Sequence, residues 1–172
     1  MSYQDKIRAV YENSGIVLTP EEMANIDFAD FGLDNIEEEG LNLIVYINNS
    51  RYCAKEMVLL PGQTCPEHRH PRRGANLEID GKQETFRVRQ GKVYLYVEGE
   101  QNVPEISAKI PKANSDWYTN RYEIVLRAGE QYTIDPDIKH WFQAAEEGAI
   151  VSEFSSPSDD PSDIFTNPNI KR

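Results

Sequence analysis

The sequence predicts an all-β fold, a barrel or sandwich of short strands, preceded by a short helical arm. Three observations carry that prediction. From Leu41 onward apolar runs of strand length recur: LNLIVYIN, YCAKEMVLL, KVYLYVEGE and GAIVSEFSS. Glycine and proline punctuate them, as at Gly91, Gly99, Gly129 and Pro136, in the manner of a strand-and-turn succession. Before Leu41 the period changes, and Ile7, Val10 and Tyr11 recur at helical spacing.

Taken in order, residues 3–13 predict a helix that ends before Ser14-Gly15. Thr19-Pro20-Glu21-Glu22 is a capping box with proline at the first helical position, so a second short helix starts there. Phe28, Phe31 and Leu33 read as an arm packed on something larger, and residues 35–40 (NIEEEG) as a solvated acidic loop. Asn48-Asn49-Ser50 joins the first two strands of the barrel as a hairpin turn. In CAKEMVLL, Cys53, Lys55, Met57 and Leu59 share one face, and Ala54, Glu56, Val58 and Leu60 the other. A lysine on an apolar strand face belongs at a barrel mouth or needs a buried partner. A strand over 84–90 turns Glu84, Phe86 and Val88 one way and Thr85, Arg87 and Arg89 the other, and Gly91 is expected to break it. Residues 104–120 predict a long loop with a turn or two. The tail, rich in Pro, Ser and Asp, is too irregular for regular structure, with Ile164-Phe165 able to pin it to the body. The expectation is one domain over 1–172: arm 1–40, barrel 41–155, tail 156–172.

Charge and cysteine content narrow the function classes. A formal net charge of −11 argues against a nucleic-acid partner, because a phosphate backbone needs a basic footprint. The first fifteen residues lack an apolar stretch suited to secretion, and no segment approaches membrane-spanning length, so a cytoplasmic protein with no membrane partner is expected. Cys53 and Cys65 form no close Cys-x-x-Cys pair, and read as small buried residues in a reducing compartment.

The chemistry concentrates between Gly62 and Gly91, in GQTCPEHRHPRRGANLEIDGKQETFRVRQG. His68 and His70, two of three histidines, sit one residue apart and share a strand face. With Glu84 and the distant His140 they make a metal-ligand set of three imidazoles and a carboxylate. Glu78 competes with Glu84 for the carboxylate role. Cys65 points away from His68 if the strand stays regular. Four such ligands on a six-coordinate divalent ion leave two neighbouring positions, matching the paired oxygens of an α-hydroxy carbonyl. Manganese is the first choice, with iron, cobalt, nickel and zinc open. For proton movement the candidates are Lys82, Lys55 and Glu153. Lys82 shares parity with Glu84, and Glu153 shares a face with Val151 and Ala149. The competing reading of Glu153 is an edge-strand charge turned to water.

The spacing resembles the two motifs of the cupins, small barrels of the jelly-roll or double-stranded β-helix kind. Gly62, His68-x-His70, Glu84 and Gly91 match the first motif, and the eleven-residue offset from Gly129 to His140 matches the second. Two departures stand out. The family's glutamate usually follows the second histidine by four or five residues, where this chain has Gly74 and Ala75, so residues 71–83 read as an insertion. In the second motif Pro136-Asp137-Ile138 replaces Pro-x-Gly shifted by one, and Ala144 stands where asparagine is usual.

Longer stretches, among them SGIVLTPEE, RYCAKEMVLLPGQTCPEHRHP, KHWFQAAEEGAIVSE and DIFTNP, are similar to D-lyxose isomerases of the short bacterial type. That resemblance implies that His68, His70, Glu84 and His140 bind the metal, commonly manganese. It places Lys55, Lys82 and Glu153 around the sugar, assigns Lys55 and Asp163 to substrate contact, and leaves Glu153 or Glu84 as the base, with Lys82 beside them. It implies aldose–ketose interconversion of a free sugar, D-lyxose with D-xylulose and also D-mannose with D-fructose, through a cis-enediol or a hydride shift. Arg72, Arg73, Asn76 and Glu78 of the insertion are expected to border the site. A homodimer is expected by analogy with other cupins. Three other readings stay open on these residues: an iron dioxygenase, a phosphosugar isomerase using Arg72, Arg73 and Arg87, and a sugar-binding module without turnover.

Overall fold

The structure, a computed structural model, describes residues 1–172. The arm contains α1 (Tyr3–Asn13) and α2 (Pro20–Ala24). Ser2 and Thr19 cap them, each in a reciprocal box with the acidic residue three positions on, which satisfies the orphan amides of the first turn. The strands are β1 (Asp27–Ala29), β2 (Leu41–Asn48), β3 (Cys53–Leu59), β4 (Thr64–Arg69), β5 (Glu84–Val97), β6 (Tyr122–Arg127), β7 (Gln131–Ile134), β8 (His140–Ser155) and β9 (Ile164–Phe165). The sheet runs β1-β2-β3-β8-β4-β9, and β5 joins β8 to β6 and β7.

The organising unit is the antiparallel ribbon of β5 and β8. Glu84 pairs with Ser155 at one end and Val97 with His140 at the other. Laid flat, the thirteen steps from Glu84 to Val97 span roughly 40 Å at ~3.3 Å per residue. Yet Glu84 Oε1 lies 2.9 Å from His140 Nε2, so the ribbon curls back on itself and closes the barrel. Register shifts at Val88/Gln90 and Gly91/Val93 provide the bend. Gly91 therefore bends β5 within a continuous strand where the sequence predicted a break. Its φ is +73°, and a Cβ there would lie 2.0 Å from the Gly148 carbonyl oxygen.

The barrel interior holds eighteen buried apolar residues, among them Leu43, Met57, Phe86, Val88, Leu95, Phe142 and Val151. The predicted alternation of β3 is observed: Met57 and Leu59 face this core, while Val58 packs outward under Ile7 and Tyr11 of α1. On the other side Tyr96, Trp141, Tyr118 and Ala108 pin the 104–120 loop, which carries one 3-10 segment (Lys112–Trp117).

Four local expectations are corrected. β1 was not foreseen, because three residues give too short a period to detect; it pairs with β2 through Ala29 and Leu41. The acidic loop is not wholly solvated: Glu39 is 1% exposed and accepts hydrogen bonds from Tyr118 Oη and Asn114 Nδ2. The tail has regular pieces, a 3-10 turn (Asp160–Ser162) and β9, which pairs with β4. Phe165 is the residue that pins it, since Ile164 is exposed. Finally, β4 is bulged. Cys65 opposes Phe142 and His68 opposes His140, three residues against two, so both Cys65 and His68 line the interior. Pro66 occupies the bulge, where its missing N–H costs no ladder bond.

Replacing Gly91 by alanine should lower stability by about 2–4 kcal/mol, the scale of a strained left-handed residue plus a backbone clash. Thermal or urea unfolding measures this; an unchanged midpoint would show that the ribbon can bend elsewhere.

Candidate metal centre

Bend and bulge together bring four ligand atoms to one point inside the barrel. One ligand atom each from His68, His70, Glu84 and His140 lies within 4.8 Å of all the others, and all four residues are buried. Each element contributes through its register. β4 supplies His68 at a direct cross-strand pair with His140 of β8, His70 follows one turn of the pleat later, and β5 starts with Glu84.

The imidazole tautomers are set from behind. His68 Nδ1 is 2.8 Å from the Pro66 carbonyl oxygen, and His140 Nδ1 is 2.9 Å from that of Ile138. Carbonyls only accept, so Nδ1 carries the hydrogen and Nε2 turns its lone pair to the centre. His70 Nδ1 meets the Asp163 carboxylate at 2.5 Å. His140 Nε2 is buried without a hydrogen bond although Glu84 Oε1 is 2.9 Å away. Two lone-pair atoms facing each other in a dry interior are the donor arrangement of a cation site, and oriented Nδ1 partners are its usual support. The residues fit a divalent first-row ion of the imidazole–carboxylate class.

Protonation follows from the surroundings. Burial, reinforced by the two neighbouring imidazoles, holds the His68 pKa well below the ordinary histidine range. For His70 burial opposes charge, but Glu84 and Asp163 outweigh it and raise the pKa to about 9. Glu84 is held well below the usual carboxylate range: Lys82 and His70 overcome the burial penalty. Lys82 is raised, because Glu153 and Glu84 overcome its own burial.

The centre opens on a cavity with two unlike walls. Phe31, Leu43, Met57, Phe86, Phe142 and Phe165 form the apolar side. The polar side is a chain of alternating charges. Lys82 Nζ is 2.6 Å from Glu84 Oε2 and 3.1 Å from Glu153 Oε1, Lys55 Nζ is 3.7 Å from the same Glu153 oxygen, and Asp160 follows at 3.3 Å. Glu153 is not an edge charge, because β8 runs between β3 and β5 at this point and leaves the residue 4% exposed.

The structure brings most of the expected residues to one cavity. Lys55, Lys82, Glu84, Glu153 and Asp163 all line the cavity, and Lys82 gets there from a loop rather than from an extension of β5. The loop must cross the His70 backbone to do so; a Cβ on Gly81 would lie 2.0 Å from the His70 carbonyl oxygen. Asp163 borders the cavity while spending one oxygen on His70. Glu78 is exposed and bonded to the Asn76 amide, which removes it as a ligand. Arg72, Arg73 and Asn76 do not line the cavity; Arg72 pairs with Asp80 and Arg73 with Asp159. Sequence reasoning missed Phe31, Asp160, Arg172 and the packing of Phe165 on His68, ring centroids 5.3 Å apart. No spacing rule links these residues to the histidines.

A profile of the D-lyxose isomerase family matches residues 11–172. The chain belongs to the D-lyxose isomerase family. It is 59% identical over 169 residues to a D-lyxose/D-mannose isomerase of Thermosediminibacter oceani, covering 98% of this chain and 91% of that one. A D-lyxose ketol-isomerase of Cohnella laeviribosi is 53% identical with the same coverage. Membership at this identity makes this member of the D-lyxose isomerase family an aldose–ketose isomerase. Among solved structures, an L-ribose isomerase of Cellulomonas parahominis superposes with a TM-score of 0.76 at 18% identity, covering 98% and 91% of the two chains. An RmlC-like cupin from Shewanella frigidimarina gives 0.51 at 16% identity, covering 80% and 89%. These place this lyxose isomerase family member in the cupin fold. Like every helix of the structure, its α1 is too short and polar to cross a membrane.

Three measurements test the centre. His68→Ala should retain the fold and lose stoichiometric metal by elemental analysis. Because His70 is protonated below about pH 9 in the metal-free chain, metal uptake near pH 7 should release about one proton, and affinity should rise about tenfold per pH unit up to that point. Calorimetry in buffers of different ionisation enthalpy reads the proton. Asp163→Asn, which loosens the His70 tautomer, should weaken metal binding about 10–100-fold; unaltered affinity would confine Asp163 to the cavity wall.

Proposed function

We propose that this enzyme interconverts free D-lyxose and D-xylulose, and D-mannose and D-fructose as a second pair, by proton transfer through a cis-enediol with manganese as its ion. The observation that carries the reading is the placement of Glu153 across Lys82 from Glu84, on the wall of one buried cavity. The names of the two bacterial relatives support the sugars.

A divalent ion held by His68, His70, Glu84 and His140 supplies Lewis-acid polarisation of the sugar's carbonyl and adjacent hydroxyl. The remaining work falls to side chains. Glu153 is the base that takes the C2 proton of the open-chain aldose and returns it to C1, while the proton of the C2 hydroxyl passes to the neighbouring O1. Lys82, raised by its two carboxylates, stays an ammonium; it holds Glu153 in place and donates to a sugar oxygen as negative charge develops there. Lys55 and Asp163 contact the sugar hydroxyls. The phenylalanines and Met57 exclude water, which strengthens each of these interactions.

The polar wall argues against a phosphorylated substrate. Lys55, Lys82 and Arg172 are each already paired with carboxylates, and Arg87 is exposed and bonded to Gln131, away from the cavity. No free cation faces a phosphate. Family membership favours turnover over a dioxygenase or a silent sugar-binding module.

The manganese-loaded protein should form ketose from D-lyxose faster than from other aldopentoses in a panel of free sugars. In D₂O the xylulose should carry deuterium at C1; product free of label points instead to a hydride shift. Glu153→Gln should keep its metal and lose about 10²–10⁴-fold in kcat. Retained turnover would remove Glu153 from the base role.

A further inference from the structure

Glu153 receives two lysines on the same oxygen, and they are not equivalent. Lys82 Nζ is at 3.1 Å and Lys55 Nζ at 3.7 Å, too far for a hydrogen bond. Lys55 is drawn instead to the turn before β9, where Ser158 Oγ accepts at 3.0 Å and Asp160 Oδ1 at 3.3 Å.

That turn is held from both sides. Ser158 Oγ donates to Asp160 Oδ1 at 2.7 Å, so the two acceptors for Lys55 are locked to each other. The Ser158 backbone is clamped to the Asn48 side chain through both its N–H, at 3.1 Å, and its carbonyl, at 2.9 Å. Asp160 Oδ2 lies 3.3 Å from Arg172, which also reaches Asp27 at 2.6 Å. Asp160 is a carboxylate in this setting: burial works against its charge, but Lys55, Ser158 and Arg172 hold its pKa well below the usual range.

We infer that Asp160 is a positioning residue that holds Lys55 off Glu153, so that the base keeps an oxygen free for the substrate proton. The inference rests on Glu153 being the base. Lys55 is 5% exposed and cannot retreat to water, so its ammonium must go to whichever carboxylate attracts it more. With the charge at 160 removed, the remaining carboxylate in reach is Glu153, and a contact near ~2.8 Å replaces one of 3.7 Å. At an effective dielectric constant of about 20, that approach stabilises the ionised base about tenfold, which makes it a correspondingly poorer proton acceptor. The same turn thereby fixes where Lys55 meets the sugar and how strongly Glu153 pulls on C2.

The test uses the manganese-loaded full chain with D-lyxose and C2-deuterated D-lyxose. Asp160→Asn should lower kcat about tenfold with metal content unchanged. The deuterium isotope effect on kcat should rise, because slower proton abstraction becomes more fully rate-limiting. Asp160→Glu should restore most of kcat. Ser158→Ala, which removes one of the two acceptors and leaves the charge, should move kcat and the isotope effect in the same direction by less, and it decides the matter if Asp160→Asn does not fold. Unchanged kcat and isotope effect overturn the inference; so does a loss of kcat accompanied by metal loss or by an unmoved isotope effect. Glu153→Gln separates the two claims: if it is inactive while the Asp160 variant is unaffected, the base stands and the Lys55 assignment falls, whereas an active Glu153→Gln removes both.

Discussion

The structure turns on a buried carboxylate, Glu84, with one oxygen among three imidazoles and the other on an ammonium. Taking such a charge out of water costs several kcal/mol even after relaxation, so it must be met from all sides. Everything nearby follows from that requirement. Lys82 neutralises Glu84 but is itself buried, so it needs Glu153; Glu153 then brings Lys55, and Lys55 brings Asp160. The alternation ends only where Arg172 meets Asp27 at the protein surface. The candidate metal centre and the proposed base are therefore two places on one electrostatic chain.

Closing the barrel makes that chain possible. Glu84 and His140 lie at opposite ends of the β5–β8 ribbon and meet only because the ribbon folds over. The same curl turns Phe86, Val88 and Phe142 inward, so hydrophobic burial supplies the driving force while the polar cluster is carried along with it. Phe86 and Phe142 line the same cavity as the polar cluster, so one apolar wall both stabilises the barrel and maintains the position of the ligands.

Much of this was legible in the sequence, and what was legible has a common character. Period-two alternation put Lys55 with Met57, and Glu84 with Phe86, on interior faces. The histidine spacing with its flanking glycines picked out all four residues of the buried group that could hold a metal ion. Where the chain departs from regular geometry, periodicity misled. The bulge at Pro66 reversed the expected facing of Cys65, and Gly91 bent a strand it was expected to end. Contacts set by long-range docking left little local trace: the packing of Phe31 was foreseen, its place in the cavity was not. Phe31 sits in the arm and Asp160 in a tail of Pro, Ser and Asp, yet both line the cavity. Glu39 looks like one of three solvated acids, and only the docking of Tyr118 and Asn114 shows why this one is buried.

The tail is the segment whose role changes most between the two descriptions. By composition it is an irregular end that Ile164-Phe165 can pin to the body. In the fold Asp163 sets the tautomer of His70, Phe165 packs on His68, and Ser158 with Asp160 holds Lys55. It touches two of the three histidines and, through Lys55, the proposed base, while contributing no ligand of its own. A short β9 pairing with β4 is enough to fix this because each contact is to a group already immobilised in the sheet. The tail has only to arrive in register for three separate side chains of the site to be oriented at once. A segment that supplies orientation but no reacting atom is held to its sequence by geometry and charge, and its irregular composition is what lets so few residues present an acceptor, an aromatic face and a carboxylate in quick succession.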